Sequence, residues 1–284
     1  MMTYQELRRL IVNDYVMNNQ RIDVLNARLK HLDAAFAGKT AADISAMAIQ
    51  TYQADRLSAG AKPGTVNQEL TALRRMFSIA VQMRLLPSDE KPYIKLLRLR
   101  NARKGFFELP QFEAVRRALP ELYRPIVTTM YVTGWRLNEV LSRKKQHLDI
   151  AHGWLRLEPG ETKNGEGRQF PLTHELETVL AVQLDEVKQF ERRTGRICPW
   201  LFHRDGNEIS GFRKAWESAC RQAGVPGRML HDFRRTAVRN MERAGVPRSA
   251  AMKMVGMLTE AIYKRYAIVD DRMLKEAAAK LNAQ

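Results

Sequence analysis

Residues 147–173, HLDIAHGWLRLEPGETKNGEGRQFPLT, decide the fold class of this chain. Their apolar residues alternate with polar ones, which is the period of a half-buried β-strand. Asn164-Gly165 lies between the runs 154–163 and 167–173, and Asn-Gly favours a hairpin because both residues tolerate positive φ. The stretch therefore predicts a small antiparallel sheet.

On both sides of this stretch, apolar residues recur at three- and four-residue spacing, which predicts helices. Before it, helices are predicted at 109–120, 122–134 and 136–145, with Gly134 as a C-cap. After it they are predicted at 174–193, 211–224, 232–245, 249–256, 255–267 and 270–284. The fold class is thus mainly α with a small antiparallel β-sheet (α+β) in the second domain.

The first ninety residues are predicted to be helical throughout. Apolar periodicity runs through 4–16, 21–36, 46–57 and 65–86, and the breaks AGKTAAD (37–43) and SAGAKPG (58–64) separate these helices. We therefore predict three parts. Residues 1–90 form a helical module, 91–105 an interdomain linker, and 106–284 a second domain that ends in a C-terminal helix.

The charge of the chain indicates a polyanionic partner. Its 284 residues carry a formal net charge of +16, which favours nucleic acid over an anionic membrane surface. Residues 91–105, KPYIKLLRLRNARKG, are strongly basic and contain no acidic residue. This segment is interpreted either as a strap against a phosphate backbone or as a solvated linker.

Cysteine usage and the N-terminus suggest the compartment. Only Cys198 and Cys220 are present, which predicts neither a disulfide framework nor a zinc site and fits a reducing cytoplasm. The first residues carry acidic side chains and lack an apolar run of the signal-peptide type. No metal site is expected.

Several residues could carry chemistry, although each has an ordinary structural explanation. Arg136 follows a predicted helix end and could bind its free carbonyls. Lys163 lies beside the predicted hairpin turn, where lysines are usually solvated. His231 and Arg234 lie three apart at a helix start and can face one point.

These elements together resemble the tyrosine recombinase (phage integrase) family. The resemblance rests on T-G-x-R-x-x-E (133–139), then a hairpin lysine, H-x-x-R (231–234) and a C-terminal Arg-Tyr (265–266). It covers essentially the whole chain and implies a site-specific recombinase or integrase. Its SAM-like core-binding domain (1–90) and catalytic domain (106–284) would form a C-shaped clamp. The implied catalytic residues are Arg136, Lys163, His231, Arg234 and Tyr266, with Glu139 in support.

The implied chemistry needs no cofactor. A tyrosine attacks a DNA phosphodiester and forms a 3′-phosphotyrosyl intermediate, which keeps the bond energy for rejoining. Two guanidiniums, those of Arg136 and Arg234, can bind the non-bridging oxygens while staying charged. Lys163 is suited to protonate the leaving 5′-oxygen, and His231 to accept the tyrosine proton. Because arginine and lysine supply the positive charge, no metal is required.

Two tyrosines, Tyr263 and Tyr266, compete for the role of nucleophile. In the family, Gly-His or Gly-Trp normally stands nine residues before the nucleophile. Here Gly256-Met257 stands in that position, and the spacing selects Tyr266. Met257 departs from the pattern, because a thioether cannot donate a hydrogen bond to phosphate, although it can fill the volume.

The resemblance also implies partners and leaves alternatives. The expected partner is double-stranded DNA at a specific site, bound by a homotetramer that is monomeric when free, without a membrane. Met257 favours an alternative, a catalytically weakened, recombinase-like DNA-binding protein. A type IB topoisomerase shares the chemistry, but the helical first domain argues against it. The candidate DNA contacts are Asn67, Arg74 and Arg75 in the first domain and Lys95, Arg98, Arg100 and Arg103 in the linker.

Overall fold

The computed structural model describes residues 1–99, 105–161, 165–267, 274–275 and 278–279. The chain divides into two compact units, Met1–Asn101 and Ala102–Gln284. The second unit holds helices and a small antiparallel sheet. The predicted fold class, mainly α with a small antiparallel sheet, is confirmed.

The first unit contains four helices, at the positions that the apolar periodicity predicts. They are α1 (Tyr4–Met17), α2 (Ile22–Phe36), α3 (Ala46–Ser58) and α4 (Pro63–Gln82). Helix α3 begins where the Ser45 hydroxyl accepts the backbone N–H of Ala48, a normal N-cap bond. Helix α4 has its fully buried residues, among them Leu70, Leu73 and Phe77, at helical spacing and provides the centre of this unit's core.

The first part of the predicted linker is attached to the first unit. The Asn67 side-chain amide donates to the Leu97 carbonyl, and its oxygen accepts the Leu97 N–H, both at 2.8 Å. Arg74 donates to the Ile94 carbonyl. Asn67 is buried, and both polar groups of its side chain hold residues 91–99 against α4. Here Asn67 and Arg74 have structural contacts that the sequence did not predict.

The second unit is mostly helical. Helix α5 has Pro110 in its first turn, where the missing proline N–H has no partner to lose. Most of these helices agree with the predicted segments, but α7 is one short turn and α12 ends at Tyr263. The helices are α5 (Leu109–Ala118), α6 (Arg124–Thr133), α7 (Leu137–Leu141), α8 (His174–Thr194), α9 (Arg213–Gln222), α10 (Asp232–Arg243), α11 (Arg248–Val255) and α12 (Glu260–Tyr263).

An aromatic cluster lies at the centre of the second unit. The ring of Phe233, on α10, lies 4.9 Å from Phe107, 5.3 Å from Trp216, 5.8 Å from Phe112 and 6.1 Å from Tyr131, centroid to centroid. Most of these pairs are edge-to-face, a favoured geometry for aromatic rings. The cluster fixes α10, which begins directly after His231.

The predicted sheet has three antiparallel strands in the order β1 (Leu148–Asp149), β2 (Trp154–Leu157) and β3 (Arg168–Pro171). The ladder between β2 and β3 ends at the pair Leu157 and Arg168. The described residues beyond it, 158–161 and 165–167, belong to neither strand, so the ladder ends well before the predicted Asn164-Gly165 turn. Pro159 favours this early end because proline cannot donate to the ladder. Asn164 itself lies outside the described residues.

A second hairpin was not predicted from the sequence. Strand β4 (His203–Arg204) pairs with β5 (Asn207–Glu208), and Asp205 and Gly206 join them with φ of 52° and 82°. Asp-Gly is a favoured pair for such a turn because both central residues need positive φ. The signal was therefore present, but the strands are only two residues long. Their outer end leads to Ile209 and Ser210, which border the site described next.

Candidate active site

The first site arginine is positioned by the end of α6. Gly134 ends that helix with φ of 66°, and its N–H bonds to the Met130 carbonyl. Arg136 then caps α7, and its backbone N–H and Nη1 donate to the two carboxylate oxygens of Glu139 at 2.8 and 2.7 Å. The Arg136 side chain is 40% exposed, whereas that of Glu139 is 7% exposed. The glutamate is thus buried beneath a guanidinium that reaches solvent.

The buried carboxylate of Glu139 is kept charged by its neighbours. Burial acts to raise its pKa, but the charges of Arg168 and Arg136 and the Arg136 backbone N–H outweigh this, so the pKa of Glu139 lies below its ordinary value. Arg168, on β3, donates from Nη2 to the same carboxylate. Glu139 is therefore a charged anchor shared by two arginines.

The second site arginine, Arg234, is buried. Nη1 donates to the Gly134 carbonyl and Nη2 to the Gly256 carbonyl, each at 3.0 Å. Both glycines end a helix with left-handed backbone angles, so their carbonyls are free of helical bonds. Burial first, and then the charge of Arg136, lower the pKa of Arg234 to about 10. It remains charged at neutral pH.

His231 and Tyr266 come together although they lie far apart in sequence. Nε2 of His231 is 3.2 Å from the Tyr266 hydroxyl, and the two rings meet edge to face. The guanidiniums of Arg234 and Arg235 each lie 5.8 Å from the Tyr266 ring centroid, within cation–π range. A base, a phenol and two cations therefore meet at one point.

The environment of His231 favours its neutral form. Burial, followed by the charges of Arg234 and Arg136, lowers the pKa of His231 below its ordinary value. A neutral imidazole has a free nitrogen lone pair and can accept a proton. The described geometry thus provides a base beside the Tyr266 hydroxyl.

Tyr263 has a different environment from Tyr266. Its side chain is buried in the core of the second unit. Burial and the nearby carboxylate of Glu242 raise the pKa of Tyr263 above its ordinary value. Helix α12 ends at Tyr263, and Tyr266 follows in a turn. The backbone N–H of Tyr266 donates to the Tyr263 carbonyl. The sequence suggested that both tyrosines lie on one helix, but the structure places only Tyr263 on α12. Only Tyr266 contacts His231.

Met257 is part of the core. It is 4% exposed and belongs to the apolar cluster that contains Val255 and Tyr263. Its backbone N–H bonds to the Met252 carbonyl. A buried thioether fills space here and has no N–H to donate.

The site opens into a groove of about 770 Å³. Arg136, Glu139 and His231 line it together with Glu161, Ser210 and the start of α7. Lys163 lies outside the described residues. Its neighbour Glu161 accepts a 2.8 Å bond from the fully buried Arg143, whose Nε donates to the Glu139 carbonyl.

The sequence alone did not single out Arg143 or Arg168. Both are arginines on elements that otherwise look amphipathic, and burial identifies them only once the chain is folded. Arg168 is 7% exposed and lies over the Trp135 ring at 5.2 Å. A strand position next to a predicted hairpin was the available signal, but it does not distinguish a buried arginine from a solvated one.

The candidate DNA contacts outside the site differ in their availability. Arg75 is paired with Asp14 at 2.8 Å but remains 45% exposed. Lys95 and Arg98 are exposed. Arg100 and Arg103 lie outside the described residues. DNA contact by any of these residues stays a prediction.

Neither a metal centre nor a membrane span is found in the described ranges. Among those residues, no group of three or more His, Cys, Asp or Glu side chains could hold a metal ion. The helices described there include none that is both long and apolar enough to cross a bilayer.

The chain belongs to the phage integrase family. The family model matches residues 108–273, more than half of the chain. The match begins at α5 and contains Arg136, His231, Arg234 and Tyr266. The predicted resemblance to the tyrosine recombinases is therefore confirmed.

Relatives share modest identity with this chain. The integrase of Salmonella phage P22 is 23% identical over 209 residues, which are 69% of this chain and 51% of that protein. Tyrosine recombinase XerA of Pyrococcus furiosus is 27% identical over 168 residues, 56% of this chain and 54% of that protein. The chain thus spans about half the length of these curated relatives.

Solved structures share the fold. The Tn1549 transposon integrase in complex with circular intermediate DNA has a TM-score of 0.75 at 14% identity, covering 98% of this chain and 99% of that one. A lambda integrase tetramer bound to a Holliday junction has a TM-score of 0.68 at 14% identity, covering 94% and 78%. At these identities, the likeness establishes the fold.

Proposed function

We propose that this chain cuts and rejoins double-stranded DNA at a specific site through a covalent bond between Tyr266 and a DNA phosphate, and that it exchanges strands between two sites. The observation that carries the proposal is the 3.2 Å contact between the Tyr266 hydroxyl and Nε2 of His231. A protonated phenol is a weak nucleophile, and an adjacent base activates it.

In the proposed first step, the Tyr266 oxygen bonds to phosphorus and the bond from phosphorus to the 5′-oxygen breaks. His231 accepts the tyrosine proton, in agreement with its lowered pKa. Lys163 is proposed to donate the proton that the leaving 5′-oxygen needs. The products are a 3′-phosphotyrosyl bond and a 5′-hydroxyl. Because the bond energy is kept, attack by a 5′-hydroxyl from another strand rejoins the DNA without a nucleotide cofactor.

Arg136 and Arg234 are proposed to bind the non-bridging oxygens, on which negative charge grows in the transition state. A guanidinium has five N–H groups, and the two glycine carbonyls occupy two of those of Arg234. The remaining N–H groups are proposed to meet the phosphate. Removing one positioned donor of this kind typically slows a reaction about 10²–10³-fold.

DNA-bound relatives support the proposed partners. The Tn1549 integrase was solved with circular intermediate DNA and lambda integrase as a tetramer on a Holliday junction. Exchanging strands between two duplexes requires four cuts, and hence four active sites. We therefore propose a tetramer on DNA, formed from free monomers.

A DNA-binding protein that does not cut is the second candidate. It is favoured by Met257, a buried side chain without a donor. The positions of His231 and Tyr266 favour cleavage instead, because binding alone does not require a base beside a phenol.

The test is covalent trapping. Duplexes that the protein selects from a random-sequence pool are synthesised with a nick beside the cut position, so that the released fragment diffuses away and the adduct accumulates. On a denaturing gel, wild-type protein and Tyr263→Phe should give a covalent band, and Tyr266→Phe should give none. DNA binding without a wild-type adduct would favour the second candidate. An adduct in the Tyr266→Phe protein would refute the assignment of the nucleophile.

A further inference from the structure

Arg168 is a buried arginine at the edge of the site, with no role in the proposed chemistry. Its side chain is 7% exposed. Its guanidinium lies over the Trp135 ring at 5.2 Å, and Nη2 donates to the Glu139 carboxylate. Trp135 is itself fixed by the bond from its indole N–H to the Met254 carbonyl at 2.9 Å. Arg168 is thus held in one place by an aromatic face and a carboxylate.

Through Glu139, Arg168 affects Arg136. Oε2 of Glu139 accepts bonds from both the Arg136 backbone N–H and Arg168, while Oε1 accepts from Arg136 Nη1. A buried carboxylate needs compensating charge. If Arg168 were removed, Arg136 alone would compensate Glu139, and its guanidinium would be drawn towards the carboxylate and away from the groove.

On its other side, Arg168 contacts Gly256. A Cβ added at Gly256 would lie 2.0 Å from Arg168 Nη1 and 2.6 Å from its Cζ, so the guanidinium packs directly against the glycine backbone. The carbonyl of the same glycine accepts the 3.0 Å bond from Arg234 Nη2. Arg168 therefore also supports the peptide that orients Arg234.

We propose that Arg168 is a positioning residue for cleavage, which aims Arg136 through Glu139 and Arg234 through the Gly256 peptide at one phosphate. This inference rests on the proposed function and concerns the same site. Arg168 acts without touching DNA, because its side chain is covered by Trp135, Glu139 and Gly256.

The simpler explanation is an ion pair that only stabilises the fold. The two explanations differ in what the DNA phosphate does. If Arg168 acts by positioning the two site arginines, its removal should slow cleavage only to the extent that those arginines neutralise the scissile phosphate. A methylphosphonate at that position carries no charge and has one non-bridging oxygen, so the loss of positioned arginines should cost less on it. A purely structural defect should be equally harmful on both substrates.

The experiment measures single-turnover formation of the covalent adduct on nicked duplexes with a phosphate or a methylphosphonate at the cut. Arg168→Met should be about 10²–10³-fold slower than wild type on phosphate and should bind DNA within about threefold of it. On methylphosphonate, the ratio of the wild-type rate of adduct formation to that of Arg168→Met should be at least tenfold smaller than on phosphate. The same should hold for Arg136→Ala. The double variant should be slower than Arg136→Ala by less than the full Arg168→Met defect, because residues in one network are not additive and only the route through Gly256 to Arg234 remains to be lost.

Two further variants control for folding. Arg156→Met removes a half-buried arginine on the neighbouring strand, paired with Asp149, and should cleave like wild type. Arg168→Lys keeps a charge for Glu139, and it should cleave faster than Arg168→Met and show the same smaller defect on methylphosphonate. If Arg168→Met does not fold, Arg168→Lys carries the substrate comparison.

The outcomes separate the two proposals. Equal defects on both substrates, or a double variant whose defects multiply, would overturn the positioning role while leaving cleavage by Tyr266 intact. Arg168 variants that cleave phosphate at the wild-type rate would do the same. Absence of any adduct with wild-type protein would refute the proposed function, and the inference would fall with it.

Discussion

Replacing Gly256 by alanine should damage the site and the fold together. Gly256 ends α11 with φ of 73°, a conformation that costs an alanine about 1–2 kcal/mol. The added Cβ would also lie 2.0 Å from Arg168 Nη1, which forces the guanidinium away from Glu139. Overpacking of this kind costs about 1–3 kcal/mol. The expected loss in the free energy of unfolding is therefore about 2–5 kcal/mol.

Gly195 provides a matched control. It ends α8 with φ of 67°, its N–H bonds to the Glu191 carbonyl, and an added Cβ would meet no atom within 4 Å. Gly195→Ala should cost only the backbone part, about 1–2 kcal/mol. The difference between the two variants, about 1–3 kcal/mol, isolates the contact between Gly256 and Arg168.

Urea unfolding followed by tryptophan fluorescence measures this difference. All four tryptophans, at 135, 154, 200 and 216, lie in the second unit, so the signal reports on the unit that contains both glycines. With an m-value of about 2–3 kcal/mol/M, the Gly256→Ala midpoint should lie about 0.3–1.5 M below that of Gly195→Ala. In an Arg168→Ala background, Gly256→Ala should cost no more than Gly195→Ala. Equal midpoints for the two glycine variants in the wild-type background would refute the steric argument.

Three further predictions concern proton transfer, phosphate contact and the missing donor. Since the pKa of His231 is lowered and its neutral form is the base, adduct formation at low DNA concentration should be level down to pH ~6.5 and fall only below it. His231→Gln should remove this inflection, and an inflection well above that pH would contradict the lowered pKa. Neutralising the linker should reduce the slope of log K against log salt by up to about 3.6, at ~0.9 per lost phosphate contact, and an unchanged slope would mean that the linker does not touch DNA. The linker variant replaces Lys95, Arg98, Arg100 and Arg103 by alanine. Met257→His should speed single-turnover cleavage by supplying an N–H donor, whereas Met257→Leu should not, and a His variant no faster than wild type would show that methionine is no handicap.

Periodicity predicts the helices well because a helix that buries one face needs apolar residues every three or four positions. The four helices of the first unit and the Gly134 C-cap follow from local pattern alone. The β2–β3 pairing was predicted too, but not where its ladder ends, because that depends on Pro159 and on tertiary contacts such as the bond from Arg143 to Glu161. The short β4–β5 hairpin was missed because two-residue strands have too few residues to show alternation.

The site was predictable only where motif order carried information. Arg136, His231, Arg234 and Tyr266 were named from the sequence, and the structure brings His231 and Tyr266 into contact and lays Arg234 beside the Tyr266 ring. Arg168 was not named, because its burial depends on contacts from three separate elements. Asn67 illustrates the opposite case. Asn67 is a polar residue on a predicted DNA-binding helix, yet its amide N–H and its amide oxygen both bond to Leu97. Periodicity does not encode this tertiary contact.

The residue that carries the DNA can be identified directly. Wild-type protein is trapped on the nicked duplex, the adduct is digested with nuclease and trypsin, and the peptides are analysed by mass spectrometry. Trypsin cuts after lysine and arginine, so it separates Tyr263, in the peptide 254–264, from Tyr266, in the peptide that starts after Arg265. The predicted result is a nucleotide mass on the Tyr266 peptide alone. A nucleotide on the Tyr263 peptide, or on any other residue, would contradict the assignment of Tyr266 as the nucleophile.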